Sequence, residues 1–269
     1  MSFPQYVVDV FTDRLFRGNP AAVCLPGEEL SEALMQAIAR ENSLPETAFA
    51  VRAGGVWQLR WFTPQGEIDF CGHATMAAAF VLARLSSAAG KRLCFGSAAG
   101  PLVVSVRDAL ITLDAPAYAL TEIPVTESMA RAVGVWPRAA FLDRDLLLVL
   151  ETETQVRELT PERHLLAALP GLCIAVTARG RTEDCVSRVF VPDMADMEDP
   201  VTGSTHCMIL PYWARELGKR EIAAFQASRR SGRIAGEVAG GRVRLSGQAV
   251  LYSAGEIFPD GPVPELLED

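Results

Sequence analysis

"DFCGHATMAAAFVLARL", Asp69 to Leu85, places a cysteine, a glycine and a histidine at the entrance to an Ala-rich helix. A helix as apolar all round as "ATMAAAFVLA" has no face to give to water, so it must be buried on every side. Strands wrapped around it would do that. The stretch therefore predicts a central helix enclosed by sheet. It has an echo further along: "EDPVTGSTH", Glu198 to His206, again leads into a helical stretch. Gly72 and Gly203 lie 131 residues apart, and so do the pairs Ala83-Arg84 and Ala214-Arg215. A shared offset means that glycine and helix keep register in two copies.

The echo extends upstream. "LRWFTP" (Leu59 to Pro64) and "SRVFVP" (Ser187 to Pro192) share Arg-x-Phe-x-Pro, and "LPETAFAV" (Leu44 to Val51) resembles "LPGLCIAV" (Leu169 to Val176). The offset is close to half of the 269 residues, which suits two domains of ordinary size. "DAPAYALTEIP" (Asp114 to Pro124) interrupts periodicity with two prolines and marks the boundary. The expected division is 1–115 and 116–269, with the C-terminal segment able to complete the first domain.

"QYVVDVF", "VWQLRWF", "LVVSVRDALITLDA", "CVSRVFV" and "GRVRLSGQAVLYS" read as strands from alternation and β-branched content. "SEALMQAIARE" reads as an amphipathic helix with Ser31 as N-cap. The expected class is α+β: two similar, pseudo-symmetric domains, each a barrel-like antiparallel sheet around one helix.

Composition narrows the function. Hydrophobic residues make up 49% and charged residues 22%, a globular balance in which only the acidic end "PVPELLED" is expected to be disordered. A net charge of −8 with no basic run argues against nucleic acid as partner. No signal peptide is visible, and no apolar run reaches the ~20 residues of a membrane span. The expected location is cytoplasmic. The six cysteines are scattered without C-x-x-C, as free core thiols would be.

The chemistry has to come from the helix starts. The first N–H groups of a helix lack internal partners and carry the positive end of its dipole. Gly72 and Gly203 would let an anion approach them closely. Two such sites on facing domains would hold a carboxylate in the cleft between them, mainly by backbone N–H groups around Gly72–His73 and Gly203–Thr205 and not by arginine. Ser204 could instead be an ordinary N-cap, and Pro211 should kink the second helix. The three histidines, His73, His164 and His206, lack metal-ligand spacing, so no metal is expected. No G-x-S-x-G, dinucleotide fingerprint or P-loop is present.

Cys71 at a helix start should have a lowered pKa. By the repeat offset its counterpart is Thr202, so a two-thiol racemase fails. Glu46 remains. It stands among Leu44, Pro45, Ala48 and Phe49, and the upstream match sets Gly171 opposite it, so the carboxylate is not part of the repeated scaffold. Apolar surroundings suit a general base, though an exposed loop glutamate would look the same in sequence.

Four stretches, "VDVFTDRLFRGNPAAVCLP", "IARENSLPETAF", "LRWFTPQGEIDFCGHAT" and "DPVTGSTH…YWARELGK", occur in this order over nearly the whole chain. Together they resemble the PhzF family of phenazine-biosynthesis-like isomerases, relatives of diaminopimelate epimerase and proline racemase. The resemblance implies a homodimeric, cofactor-independent isomerase that moves a proton between carbons of a small carboxylate. It implies Glu46 as the acid/base and His73, Asp199 and Ser204 as its catalytic companions. Gly72 and Gly203 match the substrate-binding backbone donors; Thr205, and Asn19 in the first of the four stretches, join them as candidate substrate contacts. The phenazine enzyme has a substrate-contacting serine just before its glutamate. Pro45 stands there, so the resemblance implies the general chemistry but not the phenazine substrate. A racemase or epimerase, or a carboxylate-binding protein of the same fold, are the other readings.

Overall fold

The computed structural model of the chain describes residues 2–86, 92–194 and 196–259. The acidic end expected to be disordered lies outside the described residues. The chain divides into two units: one runs through Leu113 and resumes at Gly247, and the other is Asp114–Ser246.

The first unit contains β1 (Phe3–Val10), β2 (Asn19–Cys24), α1 (Glu32–Asn42), β3 (Glu46–Ala53), β4 (Val56–Phe62) and β5 (Glu67–Ile68). It continues with α2 (Gly72–Leu85), β6 (Arg92–Gly96), β7 (Leu102–Arg107) and β8 (Leu110–Pro116), the last crossing the boundary. The second unit contains β9 (Thr121–Ile123), α3 (Glu127–Val133), β10 (Ala139–Leu142), β11 (Leu146–Val149), α4 (Glu153–Glu158) and α5 (Arg163–Ala167). After these come β12 (Ile174–Arg179), β13 (Cys185–Phe190), α6 (Gly203–Leu217), β14 (Glu221–Gln226) and β15 (Gly232–Ala239). The long β16 (Arg242–Ile257) serves both: its first half pairs with β15, and from Ala249 onward it pairs with β1. That pairing is why the C-terminal segment belongs with the first unit.

Within the first unit the strands follow the order β1-β2-β3-β4-β6-β7-β8, and within the second β15-β14-β13-β12-β11-β10-β9. The ladders are mixed where the sequence suggested antiparallel pairing. β2–β3, β4–β6, β11–β12 and β13–β14 are parallel. Each of these pairs is separated by helical chain, and a helix-containing crossover returns a strand in its original direction.

The central-helix expectation holds in each unit. Met76, Ala77, Ala78 and Ala79 of α2 are fully buried, and α2 packs on β1, β2, β3 and β7. Small alanines allow the strands to come close on all sides. Met208, Ile209 and Leu210 of α6 are likewise fully buried, against β14 and β15. Ser31 caps α1 as expected, its hydroxyl accepting from Leu34 N–H at 3.3 Å. Such a cap is worth about 1 kcal/mol.

Pro211 does not stop α6, which runs unbroken from Gly203 to Leu217. A proline leaves the carbonyl four residues earlier without its helical donor. Here that carbonyl, of Cys207, accepts instead from Tyr118 N–H at 2.9 Å. The irregularity is absorbed by a neighbouring loop.

Candidate active site

Both central helices begin at their glycines, α2 at Gly72 after Cys71 and α6 at Gly203 after Thr202. Neither flanking residue caps its helix with its side chain. Ser204 is thus inside the first turn and is not an N-cap. A Cβ built on Gly72 would meet nothing nearer than Leu113 Cδ2 at 3.6 Å, an ordinary contact. The protein's own packing does not demand a glycine there.

In the first unit, β2 and β3 run parallel with Ala21 opposite Glu46. Asn19 and Glu46, the first residues of these strands, come out beside the first turn of α2, which carries His73. The Glu46 carboxylate and His73 imidazole are 3.0 Å apart, Oε2 to Nε2, with side chains only 15% and 7% exposed. On the other edge of the ring, Nδ1 lies 3.4 Å from Cys71 Sγ and 3.5 Å from Asn19 Nδ2. The close Glu46–His73 approach lacks hydrogen-bond angles, and both atoms are buried without another hydrogen-bond partner. Buried polar atoms in that condition are rare and mark sites where something else is to be bound or moved.

Charge follows from this geometry. Burial opposes the imidazolium, but the Glu46 carboxylate 3.0 Å away outweighs it and raises the His73 pKa well above its ordinary value. Burial, with the Glu46 carboxylate second, pushes the Cys71 thiol up. The lowered pKa expected for Cys71 is therefore corrected: desolvation and a neighbouring anion beat the helix start. Glu46, Cys71 and His73 do bring three potential metal donors within 4.8 Å of one another, which sequence spacing did not reveal. The imidazole, however, faces the thiol with one nitrogen and the carboxylate with the other. The three groups therefore lie in the order carboxylate, imidazole, thiol.

The second unit gathers Asp199, Thr202, Ser204 and Thr205 at the start of α6. Asp199 is fixed by its own N–H to Val189 O at 3.1 Å and accepts from the Thr202 hydroxyl. Gln226, fully buried on β14, locks the turn: Thr202 N–H donates to its Oε1 at 2.9 Å, and its Nε2 donates to Asp199 O at 2.8 Å. His206 is structural. Its Nδ1 donates to Thr202 O at 2.7 Å, leaving Nε2 to accept from Ser187 Oγ at 3.3 Å. Burial drives its pKa down to about 4.

An arginine is present where none was expected. Arg144 Nη2 donates to Ser204 Oγ at 3.1 Å, and its Nε donates to the fully buried Asp145 at 2.9 Å. Thr205 donates to the other oxygen of Asp145 at 2.7 Å. Thr205 is fully buried, so it braces the site from inside. Arg144, Asp145 and Gln226 escaped the sequence reading. The available signal was the charged "DRD", Asp143 to Asp145, set between two apolar runs.

Ladder register also corrects the upstream repeat. Thr47 is opposite Phe62, and Ile174 is opposite Phe190. Phe62 and Phe190 belong to the shared Arg-x-Phe-x-Pro, so the counterpart of Glu46 is Cys173 and not Gly171. The short sequence match was two residues out of phase. The carboxylate is still confined to one copy.

The phenazine biosynthesis-like family PhzC-PhzF matches residues 8–255. An uncharacterized isomerase of Pseudomonas aeruginosa is 45% identical over 258 residues, covering 96% of this chain and 99% of the relative. The crystal structure of a PhzF-family phenazine biosynthesis protein of Enterococcus faecalis superposes with a TM-score of 0.93 at 44% identity, covering 96% of this chain and all of that one. A hydroxyproline epimerase of Agrobacterium vitis shares the fold alone, with a TM-score of 0.63 at 11% identity over 97% of this chain and 94% of its own.

Proposed function

The chain belongs to the phenazine biosynthesis-like PhzC-PhzF family, and from that premise we propose that it is a cofactor-independent isomerase in which Glu46 moves a proton between carbons of a small carboxylate. The observation that carries this reading is the Glu46–His73 pair: a buried carboxylate oxygen 3.0 Å from a buried imidazole nitrogen, neither held by another hydrogen bond.

The chemistry divides as follows. Glu46 Oε2 takes the proton from carbon and returns it to another carbon of the same molecule. His73, kept protonated beside it, stabilises the carboxylate between turnovers and supplies positive charge while the substrate is a carbanion. Cys71 Sγ accepts from Nδ1–H on the far edge of the ring and fixes it there. The second unit has its own polar set suited to a carboxylate: Asp199, Ser204 and the N–H groups after Gly203, with Thr205 behind them. Gly72 leaves room for a ligand to approach the start of α2. All proton transfers run through side chains of the chain itself, so the reaction needs no metal and no organic cofactor. Relatives named isomerases at this level of identity support the reaction class. A thiol-based epimerase is less favoured, because Thr202 stands where a second thiol would be and Cys71 is pushed away from the thiolate.

Native mass spectrometry of the purified protein should reveal a small carboxylate that co-purifies. Incubated with the protein in deuterated water, that compound should gain deuterium at carbon and convert to a positional isomer. Deuterium gain with inversion at a single stereocentre, and no positional isomer, would replace this reading by an epimerase.

A further inference from the structure

Two observations in the second unit point to one residue. By ladder register Cys173 occupies the place that Glu46 has in the first unit, and Ser204, next after the helix glycine, occupies that of His73. The second observation is a single nitrogen that reaches both. Arg144 Nη2 donates to Ser204 Oγ at 3.1 Å and lies 3.7 Å from Cys173 Sγ. Where one copy of the repeat has an acid–base pair, the other has a guanidinium.

We propose that Arg144 is a positioning residue that makes Ser204 a dedicated donor to an anionic oxygen, so that the second unit selects a carboxylate over a neutral group of the same shape. The inference rests on the reading of the site as one that takes a small carboxylate. A serine hydroxyl can donate once and accept twice. With Arg144 donating into its oxygen, the Ser204 proton is left to be given to a ligand, and the adjacent charge strengthens that donation. The guanidinium cannot swing away. Its Nε is tied to Asp145 at 2.9 Å, its Nη1 donates to Tyr118 Oη at 3.1 Å, and it stacks 5.3 Å over the Tyr118 ring. Asp145 in turn is engaged from behind by Thr205 and by Cys173 N–H at 3.3 Å, so its charge faces inward. The Arg144 side chain is 30% exposed, which leaves it open to what binds beside Ser204. Lysine would keep the charge without the fork.

The test uses benzoate and its neutral isostere benzamide as probes, with binding to the full-length protein measured by calorimetry. Wild type should prefer benzoate. Ser204→Ala and Arg144→Met should each reduce the benzoate-to-benzamide preference by about tenfold or more. Arg144→Lys should keep part of it. Because Arg144→Met leaves Asp145 without its cation and could fail to fold, Ser204→Ala and Arg144→Lys, which remove less, carry the decision. A wild-type protein without preference for benzoate, or Ser204→Ala and Arg144→Lys variants with undiminished preference, would overturn the proposal. Absence of deuterium exchange with the benzoate preference intact would remove the isomerase reading alone.

Discussion

Cys71 shows how one neighbour decides the chemistry of a residue. It stands immediately before a helix, where a thiolate is normally favoured, yet burial and the Glu46 carboxylate push it the other way. A thiol that keeps its proton is a poor base. Cys71→Ala should therefore retain a substantial fraction of turnover; complete inactivation of a folded variant would revive the thiol mechanism. His206 gives a second, independent expectation. Its folded pKa is about 4 against an ordinary 6.5. As pH falls from 6.5 towards 4 the unfolded chain takes up a proton that the folded chain refuses, so stability is lost across that window and is undisturbed above it. The loss approaches about 3 kcal/mol. Denaturant titrations at several pH values should show it, and His206→Gln should flatten that part of the profile. Glu46 and His73 were legible as residues in the sequence because each stands beside a helix-start or apolar motif. Their contact was not, since it depends on β2 and β3 emerging side by side under α2.

At the scale of elements, the two helices were legible because their glycines, apolar runs and Ala-Arg pairs share one offset. The phase of β3 against β12 was not: Glu46 lies 26 residues before Gly72, whereas its counterpart Cys173 lies 30 before Gly203, so the offset that joins the helices does not reach these strands. Parallel pairing was equally hidden, because alternation reports a face and not a direction. Pro211 yields a prediction here. An interior proline ordinarily costs a helix about 3 kcal/mol relative to alanine. The carbonyl it orphans is already satisfied by Tyr118 N–H. Pro211→Ala should accordingly stabilise the protein by clearly less than that, and a gain of the full amount in chemical denaturation would contradict the compensation.

For the whole molecule, the sequence reading drew its division at 115/116, where prolines break the strand pattern, and the structure separates its units at Asp114. The destination of the C-terminal segment needed the β1–β16 ladder, a pairing between the two ends of the chain. No helix among the described residues is long and apolar enough to cross a membrane. In the first unit Leu15, Phe16 and Tyr252 are exposed, and Phe16 meets Tyr252 edge-on. Together with the family resemblance, this favours a homodimer. Light scattering at micromolar concentration should give twice the chain mass of 29.0 kDa, and a value near the chain mass would refute it.

The central claim is that Glu46 is the acid/base, and Glu46→Gln addresses it directly, since the amide keeps the shape but cannot take the proton. The measurement is deuterium incorporation from solvent into the co-purifying carboxylate, by wild type and variant side by side. The account predicts that the variant binds the compound and melts as wild type does, while its exchange rate falls by about 10²-fold or more. Exchange near the wild-type rate in the folded variant would mean that the proton is carried by another group.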